Sequence, residues 1–195
     1  IVLMGIWVNS GQVAPALRAD AIKYFQSVSV PTDRLWLHYG LTLVSYPFFR
    51  ECVAITGQLG RLGGLVTTKV LKERMAASRG QLGSLKRSVE RVASTLRRWG
   101  ILVDSDQRFA YIAKHQSLTT GDRDLEMWLL ACALRSHPAA ELPFADLVRL
   151  PELFPFRFTV GVEDLRRSPR FEVQRQGAGW DAVGLRRRPT NNARE

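Results

Sequence analysis

The stretch between residues 82 and 100 constrains the fold of this chain more than any other. Apolar residues recur at positions 82, 85, 89, 92, 96 and 99, so the spacing alternates between three and four residues. This spacing predicts one amphipathic helix, because 3.6 residues per turn keep all six positions on one face. Ser84 is placed to cap its start, and Gly100 is placed to end it. We therefore expect one face of this helix to pack on a core and the other to face outward.

The outward face of this helix is strongly basic. At 100° per residue, Arg87, Arg91, Ser94 and Arg98 fall in a narrow band opposite the apolar positions. Residues 61–100 contain ten Lys or Arg against two Asp or Glu, so they carry +8 of the net charge of +10. Charge concentrated in this way is typical of a protein that binds a polyanion. The alternative is a solvated helix surface whose arginine side chains cover apolar neighbours.

The segments on either side of this helix show further local patterns. Residues 65–78 predict a short helix with Thr67 or Thr68 as its N-cap, and residues 79–84 form a turn with two glycines. Residues 101–114 predict a β-hairpin with a polar turn from Ser105 to Arg108. The predicted order is therefore short helix, turn, basic helix and hairpin.

This order resembles the winged helix-turn-helix superfamily over about residues 48–114. The resemblance includes the style of the third helix, "SLKRSVERVASTLRRWGIL", which closes on an aromatic residue, a glycine and an apolar pair. The "VERVASTLRRWGIL" segment followed by a short wing is also similar to BrxA-type winged-helix proteins of bacterial phage-defence (BREX) clusters. The resemblance implies a protein that binds double-stranded DNA, in phage defence or in transcriptional regulation.

Winged-helix docking assigns the basic residues to three groups. The N-terminal part of the third helix enters the major groove, where arginines and serines meet base edges or nearby phosphates. The preceding helix and turn contact phosphates and set the register, and the wing tip reaches a minor groove or a phosphate. The predicted nucleic-acid-binding residues are Lys69, Lys72, Arg79, Ser84, Lys86, Arg87, Ser88, Arg91, Ser94, Arg97, Arg98 and Arg108.

The rest of the chain completes a mainly helical α+β protein. We expect an N-terminal helical segment over residues 1–47, a winged-helix domain over 48–114 and a small α+β lobe over 115–185. Alternating residues predict strands over 153–160 and 170–177 within this lobe. Residues 186–195 have no apolar periodicity, and we expect a flexible basic tail there.

No combination of residues indicates catalysis, a cofactor or a metal. Cys52 and Cys132 lie in apolar helical contexts, which predicts two buried free thiols and a reducing cytoplasm. His38, His115 and His137 are not at ligand spacing with them. Asp122, Asp124 and Glu126 are more typical of a helix N-terminus than of an acid–base pair. We therefore expect a protein that is not an enzyme.

The ends and the apolar runs of the chain add two expectations. No run approaches the roughly 18 apolar residues that span a bilayer, so we expect a soluble protein with no membrane partner. The chain opens with an apolar stretch whose first residue is Ile1 and not an initiator Met, so we expect it to begin inside the natural sequence.

A second function remains open at this point. Winged-helix domains also dock other proteins, so the chain would then be a non-catalytic scaffold or adaptor in a multi-protein complex. The Phe-rich residues 153–160 would provide an edge for docking or for a homodimer. The basic cluster at 166–170 either extends the DNA contact or is ordinary loop charge.

Overall fold

The computed structural model describes residues 3–27, 30–80, 83–177 and 179–186. These residues form a mainly helical structure with two small antiparallel sheets, which confirms the predicted α+β class. The α-helices are α1 (Leu3–Val13), α2 (Pro15–Ser27), α3 (Pro31–Ser45), α4 (Pro47–Arg61), α5 (Thr68–Arg79), α6 (Leu85–Arg98), α7 (Arg123–Ser136), α8 (Phe144–Leu147) and α9 (Val162–Arg167). The strands are β1 (Val66–Thr67), β2 (Leu102–Asp104), β3 (Ala110–Ala113), β4 (Glu141–Pro143), β5 (Phe171–Gln176) and β6 (Trp180–Leu185).

Proline begins three consecutive helices of the N-terminal half. Pro15, Pro31 and Pro47 are the first residues of α2, α3 and α4. The first turn of a helix needs no intrahelical N–H partner, and the proline ring fixes φ near its helical value. The prolines in the sequence therefore indicate where each of these helices begins.

The basic helix α6 contacts α4, α5 and β2, and β2 belongs to a small three-stranded sheet. This sheet has the strand order β1-β3-β2, with Val66 opposite Tyr111 and Val103 opposite Ile112. Thr67 ends β1 and also caps α5, because its hydroxyl accepts the Val70 N–H at 3.1 Å. One residue thus joins the sheet to the helix pair, which confirms the N-cap prediction.

Helix α6 has the two faces that the apolar spacing predicts. Its buried side chains are Leu85, Val89, Val92, Ala93 and Leu96. Trp99 follows as a partly buried residue, its ring 5.9 Å from that of Tyr39 and 6.0 Å from that of Phe49. Leu82, the first apolar position of the pattern, lies outside the described residues.

Gly100 ends α6 as predicted. It has φ 69°, and its N–H donates to Arg97 O at 2.9 Å while the Ile101 N–H donates to Leu96 O at 2.9 Å. These two bonds form a Schellman motif, and the fully buried Leu96 and Ile101 supply its usual hydrophobic pair. The chain therefore leaves the helix directly into β2 at a defined angle.

The start of α6 differs from its prediction. Ser84 precedes the helix, but its own φ of −88° and ψ of −5° are helical, and its hydroxyl makes no capping hydrogen bond. A capping side chain folds back onto the first turn from an extended backbone. The expected Ser84 cap is therefore wrong.

The buried apolar side chains form one cluster that runs through the described chain. Helix α3 lies within it, with Trp36, Leu37, Tyr39 and Leu41 fully buried. Gly40 allows α7 to approach α3 closely, because a Cβ there would lie 2.6 Å from the Trp128 ring. The domain boundaries expected at residues 47, 114 and 185 stay predictions.

The second sheet joins the C-terminal segments in the order β4-β6-β5. Strand β5 confirms the prediction for residues 170–177, and its register with β6 runs from Phe171 opposite Leu185 to Gln176 opposite Trp180. The sequence analysis did not predict β4 or β6, which lack a clear alternation. The expected tail over 186–195 lies outside the described residues apart from Arg186.

The strand predicted over residues 153–160 is wrong. A 3₁₀ turn covers Pro151–Leu153, a single bridge joins Phe156 to Leu118, and residues 157–160 are irregular. Phe154 and Phe156 are buried, with the Phe156 ring 4.6 Å from that of Trp36. Their alternation therefore reflects core packing. Phe154 and Phe156 are therefore not at the surface, whereas Phe158 is half-buried, and the docking role of this segment stays a prediction.

Within the described residues, no helix is both long enough and apolar enough to cross a bilayer.

Candidate nucleic-acid interface

The outward face of α6 exposes the cationic side chains that the helical spacing predicts. Arg87, Arg91, Ser94 and Arg98 are all exposed, while Ser88 is half-buried. Five buried residues on the opposite face anchor the backbone of the same helix in the core. The fold therefore fixes the positions from which these exposed side chains extend.

Three arginines of this face have no carboxylate partner among the described residues. Lys86 lies 3.9 Å from Glu90 one turn along the helix, and Arg97 pairs with Asp104. Within the part of the chain that the structure describes, Arg87, Arg91 and Arg98 make no ion pair. Their guanidinium groups keep their donors available for an anion from outside.

Arg97 differs from its neighbours because it ties α6 to the hairpin. Its Nη2 donates to Asp104 Oδ2 at 2.8 Å, and its guanidinium lies 5.1 Å from the Tyr111 ring centroid. The hydrogen bond that Arg97 donates to Asp104, followed by the charge of that carboxylate, raises the pKa of Arg97. This side chain therefore orients the hairpin against the helix in the free protein.

Arg79 has a similar role at the end of α5. It donates to the Glu51 carboxylate on α4, which also accepts from the Ser78 hydroxyl, and it lies over the Phe48 ring. Burial opposes ionisation of Glu51, but the Ser78 and Arg79 hydrogen bonds outweigh it and lower its pKa. Arg79 remains exposed in part, so one edge of its guanidinium faces solvent.

The remaining predicted contacts lie around this face. Lys69 and Lys72 are exposed on α5, and Ser84 is exposed at the turn into α6. Arg74 is also exposed on α5, and the sequence analysis did not single it out. The sequence could have indicated Arg74, because it is one of the basic residues that give residues 61–100 their positive charge. The structure leaves the nucleic-acid role of all these residues as a prediction.

The hairpin loop holds a feature that the sequence analysis missed. Phe109 lies in the loop between β2 and β3, although the alternating pattern placed it in the second strand. It has a positive φ of 61°, and Arg108 stacks over its ring at 4.8 Å. Sequence periodicity cannot reveal this, because Phe109 has the same spacing from Tyr111 as a true strand residue.

A shallow groove separates the C-terminal half of α6 from β2. Its volume is about 610 Å³, and its walls include Ser94, Arg98, Gly100 and Val103. Arg97, Arg98 and Asp104 also border this groove, and because Arg97 pairs with Asp104, Arg98 is the cation there without an ion pair among the described residues.

A larger cleft of about 1340 Å³ opens between α2, α7 and the segment from α9 to β5. Arg170 Nη2 donates there to Asp20 Oδ2 and to the Tyr24 hydroxyl, both at 3.1 Å. Burial raises the pKa of Tyr24. Because these charges are paired internally, the cleft presents a mixed surface with no clear preference for one ligand charge. Its walls come from segments that are distant in sequence, so no local motif predicts it.

The thiols and carboxyl groups considered above take structural positions. Cys52 and Cys132 are free and buried, as predicted, and burial raises the pKa of Cys52 to about 12. Asp122 caps α7 by accepting the Asp124 and Leu125 N–H groups. Among the described residues, no group of three or more His, Cys, Asp or Glu side chains is arranged to hold a metal ion.

In comparisons with known proteins, no family model, curated protein or solved structure matches the chain.

Proposed function

We propose that residues 48–114 are a winged-helix domain that binds double-stranded DNA through α6 and the hairpin, without catalysing a reaction. The observation that carries the proposal is the outward face of α6, where Arg87, Arg91 and Arg98 are exposed and have no ion-pair partner among the described residues. The opposite face of this helix is core. The chain thus presents a helix whose position is fixed and whose free cations all face outward.

The element order supports this assignment. A helix, a short strand, two helices and a hairpin follow one another from α4 to β3, and the three strands form one sheet. A helix of this kind inserts its N-terminal residues into the major groove, which is wide enough to admit it. Arg87 and Arg91 lie in that N-terminal half, and a guanidinium can donate two bonds to guanine or to a phosphate.

The contacts of the other basic residues suggest that they contribute unequally to the binding energy. Arg98 and the lysines of α5 lie exposed and would meet the phosphate backbone. Arg79 and Arg97 already contact Glu51 and Asp104, so their phosphate contacts would compete with pairs within the protein. We therefore assign the larger share of the binding energy to Arg87 and Arg91.

The test is duplex binding by fluorescence anisotropy over a salt series. We expect salt-steep affinity, because each phosphate contact releases condensed counterions and six to ten contacts lose about 10³–10⁵ in affinity between roughly 50 and 200 mM salt. The double variant Arg87→Ala/Arg91→Ala should lose at least about 100-fold in affinity and reduce the salt slope by about 2.

The matched control is Arg157→Ala/Arg175→Ala. It removes the same charge from two exposed arginines outside residues 61–100. This variant should bind as the parent does if the position of the charge matters more than its amount. The proposal fails if the intact protein does not bind duplex at low salt, or if both double variants weaken binding equally. The first of these outcomes would favour a protein-docking role.

A further inference from the structure

The tip of the hairpin presents an aromatic side chain on a backbone that favours glycine. Phe109 is the third residue of the turn from Gln107 to Ala110, and its φ is 61°. Glycine is preferred there, because a Cβ is strained at positive φ. The Phe109 side chain is nevertheless 66% exposed, so it adds little to the core. Folding alone therefore gives no reason for a phenylalanine at this position.

Hydrogen bonds order the backbone of the loop that carries this ring. The Ala110 N–H donates to Gln107 O at 3.1 Å, and the Ser105 N–H donates to Ala110 O at 3.1 Å. The Ser105 hydroxyl accepts the Gln107 N–H at 3.2 Å. The Arg108 guanidinium lies 4.8 Å from the Phe109 ring centroid. Because the loop backbone is already ordered, insertion of the Phe109 ring into a partner would cost little backbone conformational entropy.

The net charge of the loop tip differs from that of the outward face of α6. Within the loop 105–109, Asp106 carries one negative charge and Arg108 one positive charge, so the tip is neutral. A contact made there depends on apolar and stacking interactions, and it should be nearly independent of salt. The α6 contact, by contrast, should depend steeply on salt.

Building on the DNA-binding function proposed above, we propose that Phe109 is a wedge that inserts between adjacent base pairs of the duplex. Apolar side chains that enter from the minor groove partly unstack a base step and kink the duplex by 20–90°. The Schellman turn at Gly100 runs from α6 into β2, and the exposed Arg97–Asp104 pair adds a contact between the hairpin and that helix. A duplex engaged by α6 would therefore meet the loop at a defined distance along its axis.

The test uses a duplex with 2-aminopurine at its TA steps and a donor–acceptor dye pair at its ends. TA steps are the easiest to unstack, and 2-aminopurine fluoresces more strongly when unstacked. We expect the intact protein to raise this fluorescence and to shorten the distance between the dyes. Phe109→Gly should lose both effects and bind roughly tenfold more weakly, with the salt slope unchanged.

The same variant separates a binding role from a structural one. Glycine relieves the positive φ, so Phe109→Gly should raise Tm by about 2–4 °C while it loses DNA deformation. Trp180→Ala is the matched control, because Trp180 is an exposed aromatic residue on the other sheet. This control should leave both DNA signals as they are in the parent.

The outcomes distinguish this inference from the proposed function. If the intact protein binds duplex with a steep salt dependence but deforms it no more than Phe109→Gly does, the wedge is wrong and DNA binding stands. If the intact protein binds no duplex, both are wrong. A lower Tm for Phe109→Gly, or a change in its sedimentation from dimer to monomer, would assign the ring to the fold or to a second copy and would overturn the wedge.

Discussion

At two positions around the hairpin, the backbone conformation of a single residue decides how the chain turns. Gly100 and Phe109 have φ values of 69° and 61°. Glycine adopts this region freely, whereas phenylalanine is strained in it. Glycine at position 100 therefore suits the conformation that the fold requires there, whereas phenylalanine at position 109 is strained in a similar one. Similar φ values thus indicate a structural role for Gly100 and a functional candidate in Phe109.

Gly100→Ala should destabilise the protein by about 1 kcal/mol, because the added methyl group is strained at positive φ. A Cβ there would meet no described atom within 4 Å, so the loss should come from the backbone alone. Urea unfolding measures the difference. Gly121→Ala is the control, since its Cβ also has open space among the described residues and its φ is not positive. Equal stability of the Gly100 variant and the parent would contradict the Schellman assignment.

At the scale of elements, side chains with fixed partners decide how neighbouring helices and strands attach. Arg79 joins α5 to α4, and Arg97 joins α6 to the hairpin. His38 performs the same task for α3, because its Nδ1 accepts a hydrogen bond from the Trp7 indole of α1 at 3.2 Å. Each attachment depends on the charge state of its members, so it has a testable pH dependence.

The attachment of α1 should weaken in mild acid. Burial, followed by the nearby charge of Arg34, lowers the pKa of His38 below its usual 6.5. A lowered pKa in the folded state means that His38 contributes its stability fully above about pH 6.5 and loses it as the pH falls through the folded value. Protonation of Nδ1 would also remove the acceptor for Trp7.

Unfolding by urea at pH 7.5, 6.0 and 5.0, followed by tryptophan fluorescence, measures this effect. His38→Gln should show a flatter pH dependence than the parent over this range, since it cannot titrate there. His137→Gln is the control, as it removes a half-buried histidine at the end of α7. Parallel profiles for His38→Gln and the parent would contradict the assignment.

At the scale of the whole molecule, one buried carboxyl group organises an irregular segment. Glu126 on α7 is 1% exposed, and its Oε2 accepts the N–H groups of Thr159 and Val160 at 2.6 and 3.0 Å. Its Oε1 accepts the Thr159 hydroxyl at 2.9 Å. Thr159 and Val160 therefore obtain from a distant side chain the partners that a strand would obtain from a neighbour.

Glu126→Gln should destabilise the protein by about 2–4 kcal/mol, because an amide has one acceptor oxygen and its NH₂ group would face donors. Thermal unfolding should show a correspondingly lower Tm. Glu163→Gln is the control, since Glu163 is exposed and pairs with Arg166 on one helix turn. That variant should change stability by less than about 1 kcal/mol. A Glu126→Gln variant as stable as the parent would contradict the role given to Glu126.

The sequence by itself determined the elements whose pattern is local. The apolar spacing of α6, the Thr67 cap and the Gly100 end follow from the geometry of a single helix, so neighbouring residues are enough to predict them. The outward position of Arg87, Arg91 and Arg98 follows from the same geometry. The candidate interface therefore follows from local sequence alone.

Only the tertiary structure decided which residues of these patterns contact other parts of the chain. The alternating phenylalanines of 153–160 predicted a strand, but the rings of Phe154 and Phe156 are buried in the core. The N–H groups of the next residues, Thr159 and Val160, donate to Glu126 and not to a neighbouring strand. Arg97 is tied to Asp104, although its sequence position resembles that of Arg98. Phe109 is exposed at a loop tip, although its spacing fits a strand. In each case, the deciding partner is fixed by packing in three dimensions, which periodicity along the chain does not encode.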